Sequence, residues 1–164
     1  MILLGIGSNL SSLSHGHPLA TCKAAVEAIN CENVAIVKCS CWYRTAPVPP
    51  SDQPWYVNGV AVLETALSPG DLLTFLQRLE HRFGRVRAVR DAPRILDLDL
   101  LAYGDLVRQE KPVLPHPRMS NRGFVLVPLG EVAPGWHHPV LGKTVEILIE
   151  ELPFRNLSGQ VEPI

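Results

Sequence analysis

The segment ILDLDLLAY, residues 95–103, carries leucine at alternate positions, with two aspartates between the leucines. Alternate residues of a β-strand point to the same face, so this pattern predicts a strand with two unlike faces. The leucines define a face covered by helices. Asp97 and Asp99 lie together on the other face, with α-carbons roughly 6–7 Å apart. Two like charges at that distance repel each other and need a counter-charge.

Patterns on either side of this strand predict the other elements. The second helix has clear end signals, with Ser68 as N-cap, Pro69 at the first helical position and Gly84 as a stop. A proline-rich segment at 45–54 and an arginine-rich segment at 85–94 are typical of loops. The predicted elements are a strand at 2–7, a helix at 18–29, strands at 34–44 and 55–65, the helix after Ser68, the strand at 95–103, and short helices near 124–131 and 144–151.

The order of these elements, β-α-β-β-α-β, indicates an α+β fold. We expect a ferredoxin-like sandwich, in which helices cover one face of an antiparallel core sheet of four strands. Additional helices follow the last strand. A length of 164 residues is that of one domain, so we expect residues 1–164 to form a single unit.

Composition and charge exclude several classes of protein. The net charge is −1 at pH 7, so no overall basic field draws the chain to nucleic acid or to an acidic membrane. No apolar run is long enough to cross a bilayer, and MILLGIGSNL at the N-terminus predicts a strand instead of a signal peptide. The four cysteines match neither a zinc site nor a disulfide framework. We therefore expect reduced, mostly buried thiols in a cytoplasmic protein. We also expect a monomer whose partners are small molecules.

Arginines cluster directly before the two aspartates, at Arg85, Arg87, Arg90 and Arg94. Taken singly, a D-x-D pair is more often exposed on a sheet surface, and an arginine-rich loop is often only solvated. Together they favour a site at which carboxylate-bound Mg²⁺ and guanidinium groups clamp a polyphosphate. The chain has no G-x-x-x-x-G-K-[ST] loop and no kinase-type motifs, and Gly5-Ile6-Gly7 is too short a pattern to indicate a function.

A set of longer motifs extends over nearly the whole chain. They are GIGSNL (5–10), WYRTAPV (42–48), DQPWYVN (52–58), LQRLE (76–80), GRVR (84–87), RDAPRILDLDLL (90–101) and LPHPRMSNRGFVLVPLGEVAP (114–134). These motifs resemble those of the 6-hydroxymethyl-7,8-dihydropterin pyrophosphokinase family of folate biosynthesis. The resemblance implies a ferredoxin-like sandwich that binds ATP and two Mg²⁺ ions. It also implies transfer of the β,γ-diphosphate of ATP to the hydroxymethyl group of the reduced pterin, with release of AMP.

The resemblance also implies roles for individual residues. Asp97 and Asp99 are the implied magnesium ligands, and Arg85 and Arg94 the implied catalytic arginines that stabilise the transferring group. The implied ATP-binding residues are Arg87, His116 and Arg122 at the phosphates, Gln77 and Glu80 on the helix face opposite its apolar stripe, and Leu100 and Val113 beside the adenine. The implied pterin-binding residues are Thr45, Ala46, Val48, Tyr56, Asn58 and Phe124, which supply aromatic faces and directional hydrogen bonds.

The basic loop departs from the family pattern. Asp91 stands where many relatives carry a tryptophan, in a loop one residue shorter, and Ala88 stands where some carry a lysine. Pro117 replaces an aromatic residue found after the histidine in some members. We expect the loops at 84–94 and 45–54 to move on ligand binding, because water must be excluded before transfer.

Two other functions are compatible with parts of the pattern. A metal-dependent glycosyltransferase also uses D-x-D to hold a metal–diphosphate, although such enzymes usually need a larger sheet. A ferredoxin-like RNA-binding domain would carry aromatic residues and basic charge on the exposed strand faces. Here that face carries Asp97 and Asp99, which repel a phosphate backbone unless a metal is present.

Overall fold

A computed structural model describes residues 1–30, 33–47, 50–85, 93–153 and 161–164. Strands and helices are interspersed along this part of the chain. The elements are β1 (Ile2–Ser8), α1 (Pro18–Ile29), β2 (Val34–Cys39), β3 (Tyr43–Thr45), β4 (Tyr56–Thr65), α2 (Pro69–Arg82), β5 (Asp97–Tyr103), a 3₁₀ helix (Met119–Asn121), α3 (Gly123–Val132), α4 (Val145–Glu150) and β6 (Val161–Pro163). The fold is α+β, with an antiparallel sheet and helices.

A single sheet of six strands runs through the described part of the chain. Five strands lie side by side in the order β5-β1-β4-β3-β6, and β2 pairs with the second half of β4. The central strand β1 is buried along almost its whole length. Because β1 runs antiparallel to both neighbours, its C-terminal end lies beside the first residues of β4 and β5.

Different helices cover the two faces of this sheet. Leu4 and Leu98 belong to a core cluster that packs against α1 and α2. Leu3 and Leu101 belong to a second cluster, with α3 and α4, on the opposite face. Full burial of one such side chain contributes roughly 1.5–3 kcal/mol, so both faces stabilise the sheet. The alternation predicted for ILDLDLLAY is present, since its leucines at 96, 98 and 100 all lie in the α1–α2 cluster.

Helix α2 begins and ends at the predicted signals. The Ser68 hydroxyl accepts a hydrogen bond from the backbone N–H of Asp71 at 3.2 Å, and Pro69 is the first helical residue. Gly84 follows the helix with a φ of +87°, a left-handed conformation that favours glycine. Among the helices described, none is both long and apolar enough to span a bilayer.

The strand predicted at 34–44 is in fact two strands, β2 and β3, and this prediction of one strand is wrong. Between them, the Ser40 hydroxyl accepts a hydrogen bond from Val60 N at 3.0 Å, and the Glu131 carboxylate accepts one from Cys41 N at 2.9 Å. These partners belong to β4 and α3, so a local alternation of residues gives no sign of the break. With β6 as a further strand, the described sheet has six strands instead of the four predicted.

The cysteines agree only in part with the prediction of reduced, mostly buried thiols. Cys22, Cys39 and Cys41 are all free, and Cys22 of α1 is buried in the core cluster between the sheet and the helices α1 and α2. Cys39 and Cys41 are exposed, so the prediction of burial is wrong for these two. Cys31 lies outside the described residues.

Candidate active site

Three strands bring an amide and a carboxylate together across one glycine. Gly7 of β1 lies opposite Asn58 of β4 on one side and opposite Asp97 of β5 on the other. A β-carbon at Gly7 would lie 2.7 Å from Asn58 Oδ1 and 4.0 Å from Asp97 Cβ. The absent side chain therefore leaves a gap through which the two polar groups face each other. The short G-x-G pattern alone did not reveal this role of Gly7.

The Asp97 carboxylate, half-buried at the start of β5, has an arginine at each oxygen. Arg85 Nη1 lies 2.9 Å from Asp97 Oδ1, and Arg94 Nη1 lies 2.8 Å from Asp97 Oδ2. Arg85 also contacts the Glu80 carboxylate through the same Nη1. The counter-charge that the sequence demands is thus supplied by the arginines at the two ends of the basic loop.

Asp99 lies two residues further along β5, directly opposite Gly5 of β1. Burial raises the pKa of Asp99 to about 6, and the negative charge of Asp97 adds to this effect. The positive charges of Arg122, Arg94 and Arg85 oppose the rise in the pKa without cancelling it. The ionised form of Asp99 is therefore disfavoured mainly because its carboxylate is buried.

Glu80 on α2 holds the start of β5 in place. Its carboxylate accepts a hydrogen bond from Leu98 N at 2.8 Å, and its side chain is only 5% exposed. Burial raises the pKa of Glu80 to about 7, against the lowering effects of the Leu98 hydrogen bond and of Arg85. Glu80 lies within the buried side of α2, so the prediction that it lies opposite the apolar stripe is wrong. Gln77, one turn earlier, is exposed.

His116 lies beside β5, and the charge of Arg122 acts on both His116 and Asp99. The backbone N–H of His116 donates to Leu101 O at 2.8 Å, and its Nδ1 accepts from Arg118 N at 3.2 Å. The proton of the neutral ring is therefore assigned to Nε2. Burial lowers the pKa of His116 to about 4, with further lowering by Arg122 and Arg118. The ring is thus an uncharged hydrogen-bond donor at neutral pH.

Several of the residues that the family resemblance assigns to a pterin pocket lie around β3 and the start of β4. Asn58 Nδ2 donates to Thr45 Oγ1 at 2.6 Å, and both side chains are buried. Tyr56 is half-buried, and its hydroxyl donates to Gln53 Oε1 at 3.1 Å. Ala46 is also half-buried. These groups lie on the Asn58 side of Gly7, across from the carboxylates.

Phe124 lies in the first turn of α3, half-buried, and packs against the second core cluster. The Arg122 guanidinium lies over its ring, 5.2 Å from the centroid. A cation over an aromatic face stabilises both side chains. The start of α3 thus holds an arginine in contact with an aromatic ring.

One predicted residue that the structure describes, Leu100, lies away from the carboxylates. Leu100 is 5% exposed and belongs to the core cluster with α1 and α2, on the opposite face of the sheet from Asp97 and Asp99. Val113 is half-buried. Val48 and Arg87 lie outside the described residues, as does Asp91.

Asn9, which the sequence did not single out, ties two loop ends together. It is 2% exposed, and its Oδ1 accepts a hydrogen bond from Arg94 N at 2.8 Å. Its Nδ2 donates to Gln53 Oε1 at 3.3 Å and to Pro54 O at 3.2 Å. A buried amide with all of these partners fixes the segment before β5 against the loop before β4. The only sequence signal is its place in Gly7-Ser8-Asn9 at the end of a strand.

Comparison with solved structures identifies the class of fold. A crystal structure of wild-type Plasmodium falciparum HPPK-DHPS with pteroate matches with a TM-score of 0.74, at 14% identity, over 99% of this chain and 47% of that chain. A triple mutant of the same protein matches with a TM-score of 0.72 over 92% of this chain and 44% of that chain. This chain thus spans less than half the length of the solved chains that it matches. At such low identity, the likeness concerns the fold alone.

Comparison of sequences identifies the family. The sequence model of 7,8-dihydro-6-hydroxymethylpterin-pyrophosphokinase (HPPK) matches residues 3–134. Proteins named 2-amino-4-hydroxy-6-hydroxymethyldihydropteridine pyrophosphokinase are similar to this chain in Synechocystis sp. (39% identity, 98% of this chain and 85% of the relative) and Haemophilus influenzae (46%, 79% and 79%). One from Pseudomonas aeruginosa is 39% identical over 96% of this chain and 94% of the relative. The chain belongs to the HPPK family.

Proposed function

We propose that this chain transfers the terminal diphosphate of ATP to 6-hydroxymethyl-7,8-dihydropterin, with AMP as the other product, in folate biosynthesis. Its membership of the HPPK family supports this reaction. The row Asn58–Gly7–Asp97 is the observation that carries it, because an amide suited to a heterocycle lies beside a carboxylate paired with arginines. The pterin hydroxyl oxygen attacks the β-phosphorus, the bond from that phosphorus to the α–β bridging oxygen breaks, and the hydroxyl proton passes to water.

Asp97 and Asp99 are the proposed ligands of two Mg²⁺ ions. Two neighbouring carboxylates supply the oxygen ligands that magnesium prefers, and a bound cation would offset the burial and the charge of Asp97 that raise the pKa of Asp99 to about 6. No group of three or more His, Cys, Asp and Glu side chains suited to a metal occurs among the described residues. Substrate phosphates and water would therefore complete the coordination. The bound ions would neutralise the charge of the triphosphate and orient it.

Arg85 and Arg94 are the proposed catalytic arginines. Each planar guanidinium can hold two phosphate oxygens, and so can stabilise the charge of the diphosphate during transfer. Arg87, His116 and Arg122 are proposed to bind the nucleotide phosphates. The low pKa of His116 means that its Nε2–H donates a hydrogen bond at neutral pH without adding a charge.

The rest of the nucleotide site is proposed to comprise Gln77, Glu80, Leu100 and Val113. The resemblance alone assigns Leu100 and Val113 to the adenine, since the Leu100 side chain lies in the α1–α2 core cluster. The family resemblance of the chain supports these four roles. Glu80 has a further support, since it contacts Arg85 and the backbone of Leu98, next to the proposed magnesium ligands.

The pterin is proposed to bind among Thr45, Ala46, Val48, Tyr56, Asn58 and Phe124. A flat heterocycle packs well between aromatic faces, here Tyr56 and Phe124. The amide of Asn58 offers a directional contact to the ring, and its bond to Thr45 at 2.6 Å fixes the orientation of that amide. Discrimination by such a buried polar group is strong, because a wrong ligand leaves the group unpaired.

We propose that residues 1–164 act as one pyrophosphokinase domain, monomeric and cytoplasmic. A ferredoxin-like description of the core is supported by the strand order β5-β1-β4-β2 and by α1 and α2 packing together on one face. The free thiols of Cys22, Cys39 and Cys41 are in keeping with a reducing compartment.

One assay tests the proposed reaction directly. The protein is mixed with ATP and 6-hydroxymethyl-7,8-dihydropterin, with and without Mg²⁺, and AMP is followed by chromatography. We expect AMP and dihydropterin diphosphate in equal amounts, only with Mg²⁺, and no turnover by Asp97→Asn. Release of ADP in place of AMP, or turnover that ignores the pterin, contradicts the proposal. Equal turnover by Asp97→Asn contradicts the metal assignment.

A further inference from the structure

We propose that Arg85 and Arg94 occupy the place of the divalent cation in the free protein, so that Asp97 accepts a metal only together with the triphosphate that draws these arginines away. This inference rests on the proposed function, because it takes Asp97 as a metal ligand. It assigns the two arginines a role before transfer, as counter-ions that control when the site takes up metal.

The first argument is steric. Arg94 Nη1 donates a hydrogen bond to Asp97 Oδ2 at 2.8 Å. Arg85 Nη1 lies 2.9 Å from Asp97 Oδ1, an oxygen that has no hydrogen-bond partner among the described residues. A magnesium ion binds a carboxylate oxygen at roughly 2.0–2.1 Å. Because a guanidinium nitrogen lies this close to each oxygen, a metal ion competes with the arginines for the space beside Asp97.

The second argument is electrostatic. Around this point, the carboxyl groups of Glu80, Asp97 and Asp99 are matched by the guanidinium groups of Arg85, Arg94 and Arg122. A free divalent cation entering this group is attracted by the acids and repelled by the arginines to a similar extent. A triphosphate changes the balance, since it offers the arginines oxygen acceptors that they bind bidentately. Metal and nucleotide then favour each other's binding.

The third argument is that the exchange needs only side-chain rotation. The backbone of Arg94 is held on both sides, because its N–H donates to Asn9 Oδ1 at 2.8 Å and its carbonyl accepts from Asn9 N at 3.1 Å. The backbone N–H of Arg85 donates to Glu80 O at 3.0 Å. Fixed backbones with long side chains that are 24% exposed for Arg85 and 22% exposed for Arg94 allow each guanidinium to turn from Asp97 to a phosphate within the time of a rotamer change.

The inference is tested by the affinity of the nucleotide-free protein for Mn²⁺, measured from the electron paramagnetic resonance signal of the unbound ion. Wild type should bind Mn²⁺ weakly. Arg94→Gln should bind it at least about tenfold more tightly, since a nearby positive charge is lost. Arg94→Lys, which keeps the charge, should stay within about threefold of wild type. Asp97→Asn should remove the tightening when combined with Arg94→Gln.

Matched controls make each outcome decisive. Arg108→Gln removes a half-buried arginine outside the site and should leave Mn²⁺ affinity unchanged. Arg85→Gln repeats the test should Arg94→Gln fail to fold, as judged by circular dichroism. A saturating non-hydrolysable ATP analogue should reduce the difference between wild type and Arg94→Gln. Unchanged or weaker Mn²⁺ binding by both folded glutamine variants overturns the inference.

The same experiment separates this inference from the proposed function. AMP formation by the wild type, together with unchanged Mn²⁺ affinity in the arginine variants, leaves the function standing and removes the counter-ion role. Tighter Mn²⁺ binding by Arg94→Gln, without AMP formation by the wild type, supports the counter-ion role and removes the reaction.

Discussion

At Gly7 the sheet carries no side chain, and the Asn58 amide and the Asp97 carboxylate face each other across the gap. We expect Gly7→Ala to lower pterin affinity by about tenfold or more, because the new methyl group would lie 2.7 Å from Asn58 Oδ1 and must displace that amide. Isothermal titration with the pterin measures this effect. Affinity for an ATP analogue should fall much less.

Gly5→Ala is the matched control for this substitution. Gly5 lies on the same strand and the same face, opposite Asp99, but an added β-carbon would meet only the Leu101 side chain at 3.5 Å, an ordinary contact. We expect wild-type pterin affinity from Gly5→Ala. Equal losses in both variants, or none in Gly7→Ala, would show that the gap has no particular role.

Asp99 illustrates a residue whose charge costs stability in the absence of ligands. We expect Asp99→Asn to abolish turnover and yet raise the free energy of unfolding of the metal-free protein by roughly 1–2 kcal/mol at pH 8. Its pKa of about 6 in the folded state lies above the ordinary value of 3.8, so the folded protein binds this proton more tightly. The corresponding stability is present below pH 4 and is lost as the pH rises through 6.

Urea unfolding at several pH values measures this difference. The gap between Asp99→Asn and wild type should be small at pH 4 and should widen up to pH 8. Asp97→Asn is the contrasting control, because Asp97 is paired with Arg85 and Arg94 and its loss should destabilise the protein. A difference in unfolding free energy between Asp99→Asn and wild type that does not change with pH would contradict the explanation by the charge of Asp99.

Residue spacing predicted only those parts of the site that depend on residues close together in the sequence. The alternation in ILDLDLLAY correctly placed the leucines at 96, 98 and 100 on one face and the two aspartates on the other. Asn9 and Glu80 are different, since their partners Arg94 and Leu98 lie far along the chain or in another element. No spacing rule states that a buried amide joins two loop ends, and Glu80 was for the same reason expected on the wrong side of its helix.

Among the elements, β3 is a strand of three residues that depends on both of its neighbours. It pairs with β4 on one side and with β6 on the other, and it carries Thr45, the partner of Asn58. The Arg44 guanidinium lies 4.7 Å from the centroid of the Trp55 ring and 3.6 Å from the Glu162 carboxylate. Arg44 thereby connects the two ends of the loop that joins β3 to β4.

We expect Arg44→Gln to raise the KM for the pterin by about two- to fivefold, while kcat and the KM for ATP stay within about twofold. A cation–π contact at a partly exposed ring contributes roughly 0.5–1 kcal/mol, which sets this range. Arg44→Lys should recover part of the loss, because it keeps the cation. Steady-state kinetics with each substrate varied in turn measure these constants.

Glu162→Gln is the control for the second contact of Arg44. The ion pair is exposed, so its loss should change the KM for the pterin less than Arg44→Gln does. If Arg44→Gln raises the KM for the pterin and the KM for ATP equally, or changes neither, Arg44 has no particular role in pterin binding.

The elements that the sequence predicted well are those with their own end signals. Helix α2 has a capping serine, a proline at its first position and a glycine after its end, and all three act as expected. The break between β2 and β3 depends on Glu131 of α3 and on Val60 of β4. β6 is only three residues long, too short for an alternating pattern to indicate a strand.

At the scale of the whole molecule, the candidate site lies where the end of β1 meets the starts of β4 and β5. Asn9, directly after β1, bonds to the segments in front of both of these neighbouring strands. The proposed pterin side and the proposed nucleotide side are therefore joined through one buried amide. Binding on one side should change affinity on the other.

We expect the ATP analogue to tighten pterin binding in the wild type, and Asn9→Ala to reduce that enhancement by about fivefold or more, because a typical coupling free energy is roughly 1–3 kcal/mol. Asn9→Asp keeps the oxygen that accepts from Arg94 N and loses the Nδ2 donor to Gln53 and Pro54. Titrations of pterin with and without the analogue measure the coupling for each variant. Loss in both variants places the coupling in the contacts to Gln53 and Pro54, and loss in Asn9→Ala alone places it in the contact to Arg94. Full coupling in Asn9→Ala would mean that the two sides communicate by another route.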